Sequence, residues 1–279
     1  MPVYKPTELL NFLEKLGTNP KKSLSQNFLI DGNIIRKIVK AADVKPGDVV
    51  LEIGPGPGSL TEQLLEAKAH VIAVEKDKVL AEALKRLQTE EQKLDVFQAD
   101  ILEFPLDKIC QQLAPGKKLK VIANLPYNIT TPILAKLITR HQLFSSLTLM
   151  VQDEVARRFA AKPGTSDYSS FTIFLNFFSN PSYAFGVSRN CFFPVPRVES
   201  AIVHLKLKKP EKEIDQEKFF KLTRTAFEQR RKMLRVSLKK LYSAETVTES
   251  LKVLQLNPLS RPEELSLEQF IALFEKLSS

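Results

Sequence analysis

Between residues 49 and 151 the chain alternates short β-rich runs with amphipathic helical stretches, an order that few folds accept. The runs cover 49–53, 70–74, 94–98, 119–123 and 147–151. Between them, 60–68, 78–88 and 131–140 repeat apolar residues at helical spacing. This alternation predicts an α/β domain with a Rossmann-like parallel sheet and right-handed crossovers, its ligands at the carboxyl ends of the strands. Further on, an apolar helix is expected over 168–178. Two more strands are expected near 183–187 and 200–206, separated by Pro194 and Pro196. From Asp215 onward the pattern is helical, and Ser266-Leu-Glu-Gln269 fits a capping box opening a last helix over 266–277. The charged, proline-containing segment 208–213 sets the expected division: a sheet domain over 1–209 with a basic N-terminal arm, and a smaller all-helical domain over 210–279.

Composition narrows the function classes. At 279 residues and 43% hydrophobic the chain can bury a sizeable core. It lacks a run of 18 apolar residues, and its N-terminus lacks the apolar stretch of a signal peptide, so a soluble cytoplasmic protein without membrane contact is expected. Cys110 and Cys191 lie far apart and show no ligand spacing with His70, His141 or His204, which argues against a disulfide framework and a metal site. The net charge of +9 is uneven: thirteen basic residues face five acidic ones over 206–240, while 41–205 is balanced at eighteen of each. Cations concentrated in this way attract polyphosphate through counterion release.

Two turns carry the chemistry. Glu52-Ile-Gly-Pro-Gly-Pro-Gly58 follows the first strand, and glycines there let backbone approach a ligand. A dinucleotide fingerprint requires glycine at 59, where Ser59 stands, and the interleaved prolines leave few amides for a pyrophosphate. Glu75 ends the second strand, suited to the hydroxyls of a ribose. Asp100 follows the third, suited to an adenine amino group, with Ile101 to pack on the ring. Glu52 is placed to attract an ammonium. S-adenosylmethionine carries all three groups. Asn124-Leu-Pro-Tyr127 follows the fourth strand, beside the first. The Asn124 amide oxygen and the Leu125 carbonyl can accept the two N6 protons of an adenine, Pro126 fixes the turn, and Tyr127 can stack on the ring. Phe192 or Phe193 can offer a second stacking face to an extruded base.

These residues resemble the KsgA family of ribosomal RNA adenine dimethyltransferases, relatives of the erythromycin-resistance methylases, over nearly the whole chain. The markers are Lys21-Lys-Ser-Leu-Ser-Gln-Asn-Phe-Leu29, the glycine turn, Asn124-Leu-Pro-Tyr127, Phe192-Phe-Pro-Val-Pro-Arg-Val198, Ala226-Phe-Glu-Gln-Arg-Arg-Lys-Met-Leu234 and Arg261-Pro-Glu-Glu-Leu265. The resemblance implies a class I methyltransferase sheet. It puts Gln26, Asn27, Gly54, Glu75, Asp100 and Asn124 at the cofactor, and Leu29, Glu52, Gly56, Lys76 and Ile101 complete the expected cofactor set. It gives the stacking role to Phe192 rather than Phe193. It also implies dimethylation of two adjacent adenosines in the hairpin loop near the 3′ end of 16S ribosomal RNA, with a role in small-subunit biogenesis. Lys21, Lys22, Arg230, Arg231, Lys232 and Arg235 would then contact RNA, with the protein acting as a monomer on the subunit precursor. The family usually has glycine where Ser25 stands; if that position needs positive φ, either serine strains the arm or the loop takes another path. The competing readings are a large-subunit methylase, an assembly factor in which methylation is secondary, and an NAD oxidoreductase, the last disfavoured by Ser59.

Overall fold

The computed structural model describes residues 3–126 and 129–278. Its strands are β1 (Phe28–Leu29), β2 (Val49–Ile53), β3 (His70–Glu75), β4 (Leu94–Gln98), β5 (Leu119–Asn124), β6 (Phe144–Gln152), β7 (Ser179–Val187), β8 (Phe192–Phe193) and β9 (Ser200–Leu207). The helices are α1 (Pro6–Lys15), α2 (Gly32–Ala41), α3 (Ser59–Glu66), α4 (Lys78–Leu84), α5 (Leu106–Leu113), α6 (Thr130–Ile138), α7 (Asp153–Phe159), α8 (Ser170–Phe178), α9 (Gln216–Glu228), α10 (Leu234–Ser237), α11 (Ala244–Val253) and α12 (Leu267–Ser278).

The chain divides into two compact units, Met1–Ala156 with Ser182–Lys208, and Arg157–Pro181 with Lys209–Ser279. The first is built on a seven-stranded sheet of order β4-β3-β2-β5-β6-β9-β7. Strands β2 to β6 pair in parallel, and β9 joins β6 antiparallel. All five residues of β2 are buried, as a near-continuous apolar run requires when a parallel strand is covered on both faces. Register sets Ile53 beside Val74 and Ala123, so Gly54, Glu75 and Asn124 leave the sheet at one level. The helices begin where side chains can satisfy their first amides: Asp31 accepts from Asn33 and Ile34 at α2, and Asp77 accepts from Val79 and Leu80 at α4.

The second unit is helical, with phenylalanines at its centre. Phe177 of α8 lies 5.6 Å from Phe219 and 5.3 Å from Phe220 of α9, and Phe219 lies 5.6 Å from Phe274 of α12. This packing corrects the expected boundary. Residues 157–181 join the C-terminal helices rather than the sheet, because the apolar face of α8 is buried on α9. The capping box at Ser266 forms as expected: Ser266 Oγ accepts from the Gln269 amide at 3.3 Å and Gln269 Oε1 accepts from the Ser266 amide at 2.9 Å. Among the described residues no helix is long and apolar enough to cross a membrane.

Candidate active site

A cavity opens at the carboxyl ends of β2 to β5, where the strand order predicts one. It holds about 1040 Å³ of empty space open to solvent, and its walls include Gln26, Asn27, Gly54, Gly56, Glu75, Lys76, Asp100, Ile101, Asn124, Leu125 and Pro126. Eleven residues expected at the site therefore meet in one place. Tyr127 lies outside the described residues.

The glycine turn is stitched to the sheet by its own amides. Gly54 donates to the Val74 carbonyl at 3.0 Å, Gly56 to Glu75 Oε2 at 2.9 Å, and Gly58 to the Pro55 carbonyl at 3.0 Å. None of the three is left to cradle a pyrophosphate, which, with Ser59 in place of the fingerprint glycine, counts against dinucleotide binding. Gly58 has φ 96°, a conformation that residues with a Cβ rarely adopt, so the backbone calls for glycine there.

Glu75 is buried, and its other oxygen accepts from the Asp77 amide at 2.8 Å. Burial raises its pKa, while the amides of Asp77 and Gly56 oppose the rise. Asp100 behaves differently: Lys76 Nζ sits 2.7 Å from Oδ2 and the Leu102 amide donates to Oδ1 at 2.9 Å, holding its carboxyl below the usual range. Asp100 is thus an ionised acceptor, and Lys76 is its counter-ion. Asn124 donates through Nδ2 to the Asn27 carbonyl at 3.0 Å, which leaves Oδ1 as the acceptor of the amide.

Glu52 and Leu29 line a smaller adjoining cavity with Gly54, Pro57, Ser59 and Asn124. Glu52 is 1% exposed, and neither of its oxygens has a hydrogen-bond partner among the described residues. Burial pushes its pKa up to about 8. The nearby Thr61 hydroxyl opposes that rise but makes no hydrogen bond of good geometry with it, so the buried carboxyl is costly unless a ligand supplies partners, and the ammonium of an amino acid end supplies both charge and donors. The residues present fit S-adenosylmethionine: Glu52 for the ammonium, Glu75 for the ribose, Asp100 and Ile101 for the adenine.

Three expectations are corrected by packing. Phe192 is 1% exposed in the core beneath the sheet, held by the antiparallel pair Leu29↔Phe192, so its ring is not at the cavity; Phe193, half-buried, packs against the cluster of Leu9, Leu13, Phe28 and Leu80. Lys21 is exposed like Lys22, but its charge is paired with the buried Asp77 at 2.8 Å. In the helical unit, Arg230 donates through Nε to Glu263 at 2.6 Å, through Nη2 to the Thr165 carbonyl at 3.0 Å and through Nη1 to the Ser166 carbonyl. It braces a loop, leaving Arg231 and Lys232 exposed beside it and Arg235 half-buried on α10.

Sequence reasoning also missed parts of the cavity. Ser23, Leu24 and Phe28 of the arm, and Ile129 and Ile133 at and after the Asn124 turn, complete its walls. An Asp two residues past Glu75 and just before a helical pattern was a readable cap signal for Asp77. Ser25 takes φ 51°, the left-handed conformation that glycine accepts without strain.

The model of ribosomal RNA adenine dimethylases matches residues 17–279. The chain belongs to this family. It is 63% identical to the ribosomal RNA small subunit methyltransferase A of Protochlamydia amoebophila over all of this chain and 99% of that protein. With the protein of the same description from Chlamydia felis it shares 49% over 98% of this chain and 95% of that one. Among solved structures, a dimethyladenosine transferase from Plasmodium falciparum superposes with TM-score 0.77 at 29% identity, covering 90% of this chain and 98% of that one. The 23S rRNA methyltransferase ErmE superposes at 0.70 and 27%, covering 91% and 100%. This ribosomal RNA adenine dimethylase therefore has the class I methyltransferase sheet, followed by C-terminal helices, and S-adenosylmethionine is its methyl donor.

Proposed function

We propose that this dimethylase transfers two methyl groups to N6 of each of two adjacent adenosines in the 3′-terminal hairpin loop of 16S ribosomal RNA, acting on a precursor of the small subunit. The observation that carries the reading is Asn124: its Nδ2 is committed to Asn27, so its oxygen is offered to an amine at the edge of a cavity suited to the cofactor. The lone pair of an adenine amine is delocalised into the ring and attacks poorly. Accepting its protons at Asn124 Oδ1 and the Leu125 carbonyl turns the nitrogen toward tetrahedral geometry and localises the lone pair. S-adenosylmethionine supplies the electrophilic methyl. No strong base is required, because the nitrogen becomes acidic once methylated and loses its proton to water; positioning supplies most of the rate. Tyr127, outside the described residues, is the ring we assign to stack on the base.

Identity with proteins described as small-subunit methyltransferases favours that subunit over the large one. Loop adenosines suit an enzyme that must splay a base out, and Arg231, Lys232 and Arg235 are the phosphate contacts we assign to the helical unit. Incubation with labelled S-adenosylmethionine and small subunits lacking dimethyladenosine tests this directly. Label is expected on N6 of loop adenosines; transfer to large subunits alone, or to neither, rejects the reading.

A further inference from the structure

The cavity has a wall that no strand provides. Residues 23–28 of the N-terminal arm form it, and ahead of the β1–β8 pairing that begins at Phe28 the arm is held by the Asn27 carbonyl on Asn124 and by Asp77. Asp77 lies outside the set expected to touch the cofactor, yet its side chain is 1% exposed and both of its oxygens are committed. Oδ1 caps α4, accepting from the amides of Val79 at 3.0 Å and Leu80 at 3.5 Å. Oδ2 accepts from Gln26 Nε2 at 3.1 Å and pairs with Lys21 Nζ at 2.8 Å. Gln26 Oε1 in turn accepts from the Lys21 amide at 2.7 Å, closing a ring between arm and anchor. The Asp77 amide donates to Glu75, so the same residue steadies the ribose acid.

We infer that Asp77 is a positioning residue that latches the arm over the bound cofactor and thereby sets how long S-adenosylmethionine stays. The division of labour between its oxygens supports this. One oxygen satisfies a helix end, which any good cap does; the other holds a lysine and a glutamine whose neighbours line the cavity. A charge-assisted pair on a buried carboxylate is among the stronger hydrogen-bonded contacts, so it can hold a segment whose own conformation is unfavourable at Ser25. Gln26 belongs to this latch, which gives it a role in holding the arm besides lining the cavity.

The inference rests on the cofactor occupying this cavity, and the test separates the two claims. Asp77→Asn can still cap α4 through its amide oxygen, and it then presents an uncharged amide nitrogen to Lys21 and Gln26. Lys21→Met removes the pair without touching α4 or Glu75, and Lys22→Met is the exposed neighbour that serves as control. Dissociation of S-adenosylmethionine is followed in the full-length protein by competition with excess unlabelled cofactor. Dissociation about tenfold faster is expected for Asp77→Asn and Lys21→Met, with Lys22→Met as wild type. At saturating cofactor, Lys21→Met is expected to keep kcat within about twofold, since nothing at the reacting atoms changes. Tryptic cleavage after Lys22 should quicken in Asp77→Asn and be suppressed by cofactor. Wild-type dissociation rates in both Asp77→Asn and Lys21→Met overturn the latch while leaving the cofactor site standing. Failure of the wild type to bind S-adenosylmethionine overturns the site itself.

Discussion

The strand edge and the helical unit both gather polar and charged residues, but they hold them in opposite ways. At the strand edge nearly every functional group has a fixed partner: Glu75 takes two backbone amides, Asn124 is turned by Asn27, and Asp77 is shared between a helix cap and the arm. In the helical unit Arg230 is fixed by Glu263 and two carbonyls, while its neighbours Arg231 and Lys232 are exposed to water on long stems. Fixed groups select by geometry and oppose any misplacement of the ligand. Exposed cations attract phosphate over a distance and are screened by salt. The difference teaches that the chemistry and the choice of RNA answer to different variables, so they can be broken separately.

The sharpest break is Asn124→Ala. Loss of the amide oxygen should lower kcat by about two to three orders of magnitude, the range seen when one preorganised polar contact is removed from a transition state. Binding of S-adenosylmethionine, measured by calorimetry, should change only a few-fold. An unchanged turnover would remove Asn124 from the mechanism.

Next in size is the pH response of Glu52. Its carboxyl keeps a proton to about pH 8 in the folded protein without ligand, against an ordinary value of 4.5. Between those values the folded state binds more protons than the unfolded one, so stability is greatest below pH 4.5 for this group and is lost as pH rises through 8. Glu52→Gln should flatten that part of the melting-temperature profile. Cofactor affinity should run the other way in the wild type, improving as pH rises toward 8, because the ammonium favours the ionised carboxylate. A pH-independent affinity would place the ammonium elsewhere.

On the helical side, charge reversal at Arg231 and Lys232 should weaken RNA binding and flatten its dependence on salt by about one to two counterions. Arg230→Ala should instead cost stability, on the order of 1 kcal/mol after allowance for its partial exposure, and leave the salt slope close to wild type. Equal slopes for reversed and wild-type protein would reject this block as the RNA footprint. The smallest effect is at the arm, where Ser25→Gly relieves positive φ and should raise the melting temperature by no more than about 3 °C.

Much of this was legible before the fold was known, for reasons that differ by region. The central strands announce themselves because β2, β3 and β5 are largely buried and so read as mostly apolar runs, and the acids at their ends follow from where a parallel sheet opens. What escaped depends on partners distant in sequence. Arg230 and Arg231 are identical neighbours, and only Glu263, thirty-three residues on, separates a brace from an exposed cation. Phe192 and Phe193 alternate faces, and their fates are set by a two-residue pairing with Phe28 and Leu29. The transfer of 157–181 to the helical unit rests on ring contacts between α8 and α9, whose local periodicity states only that each has an apolar face. At Ser25 the departure from the family pattern left two outcomes open, a strained positive φ or another loop path, and the backbone takes the positive φ.

The central claim is that this strand edge dimethylates adenosines of the small subunit. Reading N6,N6-dimethyladenosine at single-nucleotide resolution in ribosomal RNA from cells with and without the protein tests it most directly. The account predicts two adjacent dimethylated positions in the 3′-terminal hairpin loop of 16S RNA that vanish with the protein, and with Asn124→Ala in its place. Unchanged modification there, or a loss confined to large-subunit RNA, would contradict it.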